Sequence, residues 1–233
     1  MSPEYGMPGM HVIRVNQKGT YMAVEFKPKP LPFAYSALKG ISEQTNKFHH
    51  DTHYVGYVNK RNEIEKKLDT VDRSAANANF SEFGALKRHE TFNANGQILH
   101  EIYWEVLGGE GKPEGTVINL LGRDFGSFEK WREDFIACGK VALGWAVLAW
   151  DPSDGRLRNF VGDSHNQGAL WGAVPLVAID CFEHAYYHDQ GPNRAAYLEA
   201  YVSNIDWRKV DSRLERYAPA QHKERDYQIV GQR

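Results

Sequence analysis

A carboxylate and a histidine stand close together at the end of an apolar run in the C-terminal half of this 233-residue chain. Residues 174–179 are apolar and predict a buried strand. The strand ends on Asp180, and His184 follows four residues later. An unpaired carboxylate costs on the order of several kcal/mol to bury, so Asp180 needs a partner. A metal cation is the most economical partner, which makes this pair a candidate metal site.

Other histidines fall in stretches with helical periodicity. His49, His53 and Tyr57 are spaced four and four, which places them on one helix face. Such a face is commonly just solvated, and His50, about 100° away from it, is expected to be solvated as well. His100 lies on an otherwise apolar helix face, where a lone histidine is more often a hydrogen-bonded core residue than a ligand. Spacing alone therefore leaves the structural and the metal-binding explanations open.

Several motifs resemble those of the iron/manganese superoxide dismutase family, over about residues 31–216. The most specific is Asp-Cys-Phe-Glu-His-Ala-Tyr-Tyr at 180–187, which is similar to the C-terminal signature of that family. His-x3-His-x3-Tyr and Phe-Asn-x6-His-x2-Tyr-Trp are similar to motifs of its first and second helices, and Leu-Pro-Phe at 31–33 is similar to its opening segment. The resemblance implies superoxide dismutation at one Mn or Fe ion. The ligands that it implies are His49, His100, Asp180 and His184.

The resemblance also implies roles for residues around the ion. His53 and Tyr57 would form the gateway through which superoxide reaches the metal, and Tyr57 would couple to the metal-bound solvent. Arg194 would line the funnel that attracts the anion. Trp145 would line the pocket, although a strand tryptophan is equally suited to plain core packing. These roles follow from the motif positions and not from the spacing of the residues.

The same resemblance implies an oligomer, either a homodimer or a dimer of dimers. Glu183 would cross the dimer interface to the ligand histidine of the other subunit, and Tyr187 would hydrogen-bond toward the gateway histidine across that interface. Without the resemblance, Glu183 would be interpreted as a surface acid.

The choice of metal depends on a glutamine that would hydrogen-bond the metal-bound solvent. Iron-type members supply it from the second helix, at a position that Gly96 occupies here. Manganese-type members supply it from the sheet domain in an Asn-Gln context, which Asn166 and Gln167 match. Manganese with Gln167 as the solvent partner is therefore favoured. Gln97, next to the iron-type position, and Phe182, in place of the more usual Trp, weaken this preference, and use of either metal stays possible.

Composition excludes several classes of protein. A net charge of −2 gives no reason to expect nucleic-acid or membrane binding. No apolar run is long enough for a transmembrane helix, and the first ten residues do not resemble a secretory signal. Two cysteines are too few for a disulfide framework and fit a reducing compartment, so a cytoplasmic protein is expected.

The pattern of elements predicts an α+β fold. A long N-terminal α-hairpin would be followed by a C-terminal α/β domain with a small three-stranded antiparallel sheet. The predicted units are an N-terminal extension (1–30, with a possible hairpin between 11 and 26), the α-hairpin (31–110), the C-terminal domain (111–217) and a tail (218–233). The predicted helices are 42–68 (one long helix or two end to end), 83–107, 127–138, 193–203 and 207–216, and the predicted strands are 144–150, 156–161 and 174–180.

Two other functions compete with dismutation. A non-haem iron oxygenase typically binds its iron with two histidines and one carboxylate and leaves positions open for substrate and oxygen. Four protein ligands leave less room for such chemistry. A non-enzymatic metal-binding homodimer of the same fold would result if the pocket were blocked.

Overall fold

A helical hairpin opens the computed structural model, which describes residues 25–217. Helix α1, Glu43–Lys47, begins at Ser42, whose Oγ accepts a hydrogen bond from the Thr45 N–H at 3.1 Å. It continues into a π-helical segment, Phe48–Tyr54, and then into α2, Val55–Thr70. Helix α3, Glu82–Glu105, packs against α2. The predicted hairpin is therefore present, but its first helix contains a π-helical segment that the sequence did not predict.

In the C-terminal half, helices precede and follow a small sheet in the sequence. Its elements are α4 (Thr116–Phe125), α5 (Phe128–Val141), β1 (Trp145–Asp151), β2 (Arg156–Gly162), β3 (Val174–Asp180), a 3-10 turn (Glu183–Ala185), α6 (Tyr187–Gln190), α7 (Arg194–Ser203) and α8 (Trp207–Tyr217). The α+β class and the three-stranded antiparallel sheet are thus confirmed.

The sheet brings the end of one strand next to the start of another. Its order is β2-β1-β3, with both pairs antiparallel. In this register Trp145, the first residue of β1, lies between Gly162 of β2 and Asp180 of β3. The Cys181 N–H donates to the Gly144 carbonyl at 2.7 Å, which continues this pairing just past the strand end. Asp180 is therefore held at a fixed position on the sheet edge that faces the hairpin.

One core joins the two halves of the molecule. Helix α3 packs on β3, and the buried Tyr103 and Trp104 of α3 belong to the same apolar cluster as Val177 and Ile179. Across this seam the Tyr201 hydroxyl lies within hydrogen-bond distance of two carbonyls, 2.9 Å from that of Ala178 in β3 and 3.3 Å from that of Tyr103 in α3. The hairpin and the sheet are therefore fixed against each other by continuous packing.

Helix α4 is absent from the sequence prediction. Its N-cap is Gly115, at φ 93°, which supplies no side chain to cap the helix, and its interior contains Gly122. Both features removed the usual signals for a helix start and a helix interior, although Val117 and Leu121 are fully buried on one face. The hairpin predicted between residues 11 and 26 falls almost wholly outside the described residues, as does the tail. Among residues 25–217, no helix has the length and apolar character that crossing a bilayer requires.

Candidate metal centre

Four side chains from four different elements converge at the seam between the hairpin and the sheet. The potential ligand atoms of His49, His100, Asp180 and His184 all lie within 4.8 Å of one another. The Nε2 atoms of His49, His184 and His100 lie 3.1, 3.2 and 3.4 Å from Asp180 Oδ2. Two ligand atoms that are each about 2.1 Å from one ion are about 3 Å apart when they subtend a right angle. The spacing of the cluster therefore suits a single shared ion.

The protonation of His100 is set by its own helix. Its Nδ1–H donates to the Gly96 carbonyl at 2.5 Å, which leaves Nε2 without a proton. That Nε2 is buried and has no hydrogen-bond partner in the described part of the chain. A buried nitrogen lone pair that faces a carboxylate and two further imidazoles fits a metal ion, and three histidines with one carboxylate suit Mn or Fe.

Burial and the neighbouring charges set the protonation of the cluster. His49, His100 and Asp180 are at most 1 % exposed. Burial lowers the pKa of His49 and, further, that of His100, so both imidazoles are neutral at pH 7. Burial by itself would raise the pKa of Asp180, but the side chains of His184 and His49 lower it well below its usual range. Neutral imidazoles at His49 and His100 and an ionised carboxylate at Asp180 are the forms that bind metal.

The predicted gateway residues lie beside the cluster. His53 stacks on His184, with ring centroids 3.9 Å apart and an interplanar angle of 14°. The ring of Tyr57 lies 5.2 Å from that of His100. Burial and the charge of Asp180 raise the pKa of Tyr57 to about 12, so its hydroxyl keeps its proton at neutral pH. Burial, with the neighbouring histidines, lowers the pKa of His53 to about 4.

His165 is a site residue that the sequence prediction missed. Its ring lies 4.6 Å from Tyr57 and 6.0 Å from His100, and its side chain is buried. The Trp145 Nε1–H donates to His165 Nδ1 at 2.9 Å, so the proton of the neutral ring sits on Nε2. That Nε2–H is buried and lacks a hydrogen-bond partner among residues 25–217. Burial lowers the pKa of His165 to about 4, which keeps the ring neutral.

Gln167 does not occupy the predicted position. It is exposed, two residues beyond His165, and its N–H donates to the Ser164 carbonyl at 3.5 Å. The structure thus places Gln167 away from the ligand cluster, contrary to expectation, and the side chain of this loop that lies beside the cluster is His165. The residues between β2 and β3 form an irregular loop, which has no periodicity to show which side chain points inward. The only signal in the sequence is a histidine immediately before the Asn-Gln pair.

The iron-type position is closed by packing. A Cβ atom added at Gly96 would lie 2.8 Å from the ring of Tyr57. Gln97 is buried, but its side chain bonds Arg61 at 3.3 Å and Glu101 at 2.9 Å instead of facing the ligand cluster. No glutamine of α3 therefore reaches the four ligands.

The remaining predicted residues surround the site. Trp145 is fully buried, and its ring lies 5.1 Å from that of His100. Glu183 and Tyr187 are exposed on either side of His184. Arg194 donates to the Ala142 carbonyl at 2.8 Å and to the Tyr186 hydroxyl at 3.1 Å, so its guanidinium is held in place.

His50 departs from the prediction that it is solvated. It is 7 % exposed, and its Nε2–H donates to the Lys29 carbonyl at 2.8 Å. Its Nδ1 lies 2.7 Å from Asp51 Oδ1. His50 is covered by the segment that precedes α1, which helical spacing could not reveal. His89 is exposed, and the centre of its ring lies 6.4 Å from that of Phe92.

Comparisons with known proteins agree with this geometry. The family model for the iron/manganese superoxide dismutase α-hairpin domain matches residues 25–108, and the model for the C-terminal domain of these enzymes matches residues 113–213. A curated protein of Haloferax volcanii, superoxide dismutase [Mn] 1, is 42 % identical over 197 residues, which cover 82 % of this chain and 96 % of that protein. The superoxide dismutase [Fe] of Aquifex pyrophilus is 40 % identical over 195 residues, 82 % of this chain and 92 % of its own length.

A third relative comes from another organism. The superoxide dismutase [Fe] of Cupriavidus metallidurans is 37 % identical over 192 residues, which cover 81 % of this chain and 96 % of that protein. Manganese and iron enzymes are thus similar to this chain to nearly the same degree. The two family models together span both halves of the molecule, and the chain belongs to the iron/manganese superoxide dismutase family.

Proposed function

We propose that this chain converts superoxide to oxygen and hydrogen peroxide at a single Mn or Fe ion. The observation that carries the proposal is the buried, unpartnered Nε2 of His100, which faces His49, Asp180 and His184 at ligand distances. The relatives named as superoxide dismutases favour the enzyme over a non-enzymatic metal-binding protein. The full set of four protein ligands disfavours an oxygenase.

The bound ion would supply a one-electron couple that takes an electron from one superoxide and gives it to a second. The four residues would hold the ion, and the single carboxylate would offset part of its positive charge. The chain must also control protons, because peroxide leaves with two of them. The His165 Nε2–H and the Tyr57 hydroxyl are the protonated groups beside the cluster that can hold solvent there by hydrogen bonds.

Access to the ion would pass His53 and Tyr57. His53 covers one side of His184 by stacking, and the ring of Tyr57 lies beside those of both His100 and His165. The net charge of −2 gives superoxide no overall attraction, so the attraction must be local. Arg194, whose guanidinium is held by backbone carbonyls, supplies a fixed positive charge for this purpose.

Manganese is the favoured metal of this proposal. The hydrogen-bond donor beside the cluster comes from the loop between β2 and β3, as in manganese-type members, and Gly96 excludes one from α3. The donor is His165 and not Gln167, so the preference depends on the location of the donor. Metal analysis of the protein purified from its host, and activity after reconstitution with each metal, would test it.

The central test is replacement of His100. H100A is expected to lose bound metal and dismutase activity, while wild type reconstituted with Mn or Fe shows both. Full metal retention in H100A would contradict the ligand assignment. Metal without dismutase activity in the wild type would favour the non-enzymatic alternative, and oxygen consumption with an organic substrate would favour an oxygenase.

The proposed assembly is a homodimer through the face around His184. Phe48 and Tyr187 are 48 % and 50 % exposed there, and the ring of Phe48 lies 5.9 Å from that of His188. Glu183 on this face would reach the His184 of a second copy. Light scattering should give a dimer mass for wild type and a larger monomer fraction for E183A. A wild type that stays monomeric at micromolar concentration and above would refute the dimer.

A further inference from the structure

A short segment with alternating prolines crosses the outside of the hairpin before α1. We call residues 26–32, Phe-Lys-Pro-Lys-Pro-Leu-Pro, the strap. Proline has no N–H and confines the residue before it to extended conformations. Pro28 therefore keeps Lys27 extended and Pro30 keeps Lys29 extended, and Lys29 has the single N–H between the two prolines. The strap is pre-organised, so docking it costs less conformational entropy than docking a flexible segment.

The strap is anchored first at Phe26. The Phe26 N–H donates to Asn62 Oδ1 at 2.9 Å, and Asn62 Nδ2 donates to the Phe26 carbonyl at 2.8 Å. The guanidinium of Arg61 lies 3.6 Å from the centre of the Phe26 ring. One amide side chain thus satisfies both backbone groups of a strap residue, and α2 holds the start of the strap.

The second anchor is Lys29, whose backbone is hydrogen-bonded to the π-helical segment. The Lys29 N–H donates to the Tyr54 hydroxyl at 2.9 Å, and the His50 Nε2–H donates to the Lys29 carbonyl at 2.8 Å. His50 and Tyr54 are four residues apart within Phe48–Tyr54, so they bracket one residue of the strap. His50 is the immediate neighbour of His49.

The same anchor reaches helix α3. The Tyr54 hydroxyl donates to Glu101 Oε1 at 3.1 Å, and the Lys29 ammonium pairs with Glu101 Oε2. Gln97 Nε2 donates to the same carboxylate at 2.9 Å. Glu101 is the immediate neighbour of His100. Through Tyr54, the strap therefore joins the two chain segments that carry the ligands of the helical half.

These contacts explain how an uncommon helical geometry can persist. π-Helical turns are rare and are frequently found at functional sites. The segment Phe48–Tyr54 contains no glycine or proline, and it has no side-chain cap at Lys47. Its own sequence therefore does not dictate the π geometry, and bonds from outside must favour it. The hydrogen bonds to Lys29 involve the third and last residues of this segment, His50 and Tyr54, which lie on either side of His53 in the sequence.

We propose that the strap is a positioning clamp for the metal site, with Tyr54 as the positioning residue that links Lys29, the π-helical segment and Glu101. The clamp fixes His49 and His100 relative to each other before the ion binds. This inference rests on the proposed function, because it assumes that these two histidines are ligands. Tyr54 itself is 1 % exposed and acts only through its neighbours.

The test is Co²⁺ binding to the full-length, metal-free protein, followed by visible absorption. Y54F keeps the ring and removes the hydroxyl, and K29P removes the backbone N–H that binds it. Both are expected to raise the Kd for Co²⁺ about tenfold and to alter the absorption bands of the bound ion, as found for residues that orient metal ligands. K29A removes only an exposed ammonium, so its Kd should stay within about twofold of wild type.

N159A is the control for a plain loss of stability. Asn159 of β2 accepts from Trp131 at 3.1 Å and donates to Asp134 at 2.7 Å, so it also makes two side-chain hydrogen bonds, both to α5, which carries none of the four ligands. The N159A substitution should lower the melting temperature and leave the Kd for Co²⁺ and the absorption spectrum of the bound ion unchanged. Y54F behaving like N159A would overturn the clamp while leaving the proposed function intact. A wild type that binds no Co²⁺ would overturn both.

Discussion

At the scale of single residues, His165 and Gln167 show how narrowly a site can be missed. The two residues are separated by one position in the same loop, yet one is 4 % exposed and the other is solvent-exposed. The difference is made by Trp145, whose indole N–H binds His165 Nδ1 and turns the ring inward. A contact between residues 20 positions apart in the chain therefore decides which side chain lies beside the ligand cluster.

Replacement of His165 should separate catalysis from metal binding. H165A removes the Nε2–H beside the cluster but no ligand, so we expect metal content to persist and kcat/KM to fall about 10- to 100-fold. Metal analysis and steady-state dismutase assays on the same sample would measure both. Q167A is the matched control and should stay within about twofold of wild type. Loss of activity in Q167A with none in H165A would restore the original assignment.

The motifs predicted which residues converge, and spacing alone did not. His49, His100, Asp180 and His184 come from four elements, and only the resemblance joined them before the structure placed their ligand atoms within 4.8 Å. His50 was assigned to solvent because helical geometry describes one helix at a time. The strap that covers it comes from outside that helix, so local pattern could not predict its burial.

At the scale of elements, periodicity predicted the long helices and strands and failed where caps and local signals were absent. The boundaries of α3 and the three strands were predicted within two residues. Helix α4 was missed because Gly115 provides no capping side chain at its start and Gly122 is an unusual residue for a helix interior. The π-helical segment could not be predicted either, because its residues favour an ordinary helix and contacts with the strap act on it from outside.

Gly96 should respond to alanine in the opposite sense to an ordinary helical glycine. In a helix interior, Gly→Ala usually stabilises a protein by about 0.5–1 kcal/mol. At Gly96 the new Cβ would lie 2.8 Å from the Tyr57 ring, so G96A should destabilise by about 1–3 kcal/mol and lower activity by displacing that ring. Urea denaturation and dismutase assays would measure the two effects.

Gly122 supplies the matched control for this test. It lies inside α4, and a Cβ there would meet nothing within 4 Å. G122A should therefore stabilise the protein by up to about 1 kcal/mol. Equal stabilisation by both substitutions would show that Tyr57 is not packed against Gly96 in solution.

The turn between β1 and β2 should lose stability in acid. The Arg158 guanidinium lowers the pKa of Asp154 to about 2, from an ordinary value of 3.8. A lowered pKa contributes stability above pH 3.8, and that contribution is lost as pH falls toward 2. Both side chains are 36 % exposed, so we expect less than about 1 kcal/mol. D154N should have a lower urea midpoint than wild type at pH 7, and the difference should shrink between pH 4 and 2.

Comparing D154N with wild type at each pH isolates the titration of Asp154, because the two proteins share all the other carboxylates that titrate in the same range. A difference in midpoint that stays constant from pH 7 to pH 2 would mean that the ion pair with Arg158 does not form in solution.

At the scale of the whole molecule, the metal site and the core occupy the same seam. His49 and His100 come from the hairpin, whereas Asp180 and His184 come from the sheet half. Apolar side chains of the core pack α3 on β3. The ion adds bonds that neither half can make alone, so its binding energy should stabilise the docked state of both halves together.

Metal addition should therefore raise the unfolding temperature of the whole chain in one step. At a free Mn²⁺ concentration of about 100 Kd, linkage gives about 2.7 kcal/mol, which corresponds to about 5–11 °C for a chain of this size. Hydrogen exchange should slow in α2 and in β1 together, because both halves contribute ligands. H184A loses a ligand from the sheet half only, and it should show little of either effect. If Mn²⁺ protected α2 while β1 exchanged as before, the ion would be bound by the hairpin alone and the shared site at the seam would be refuted.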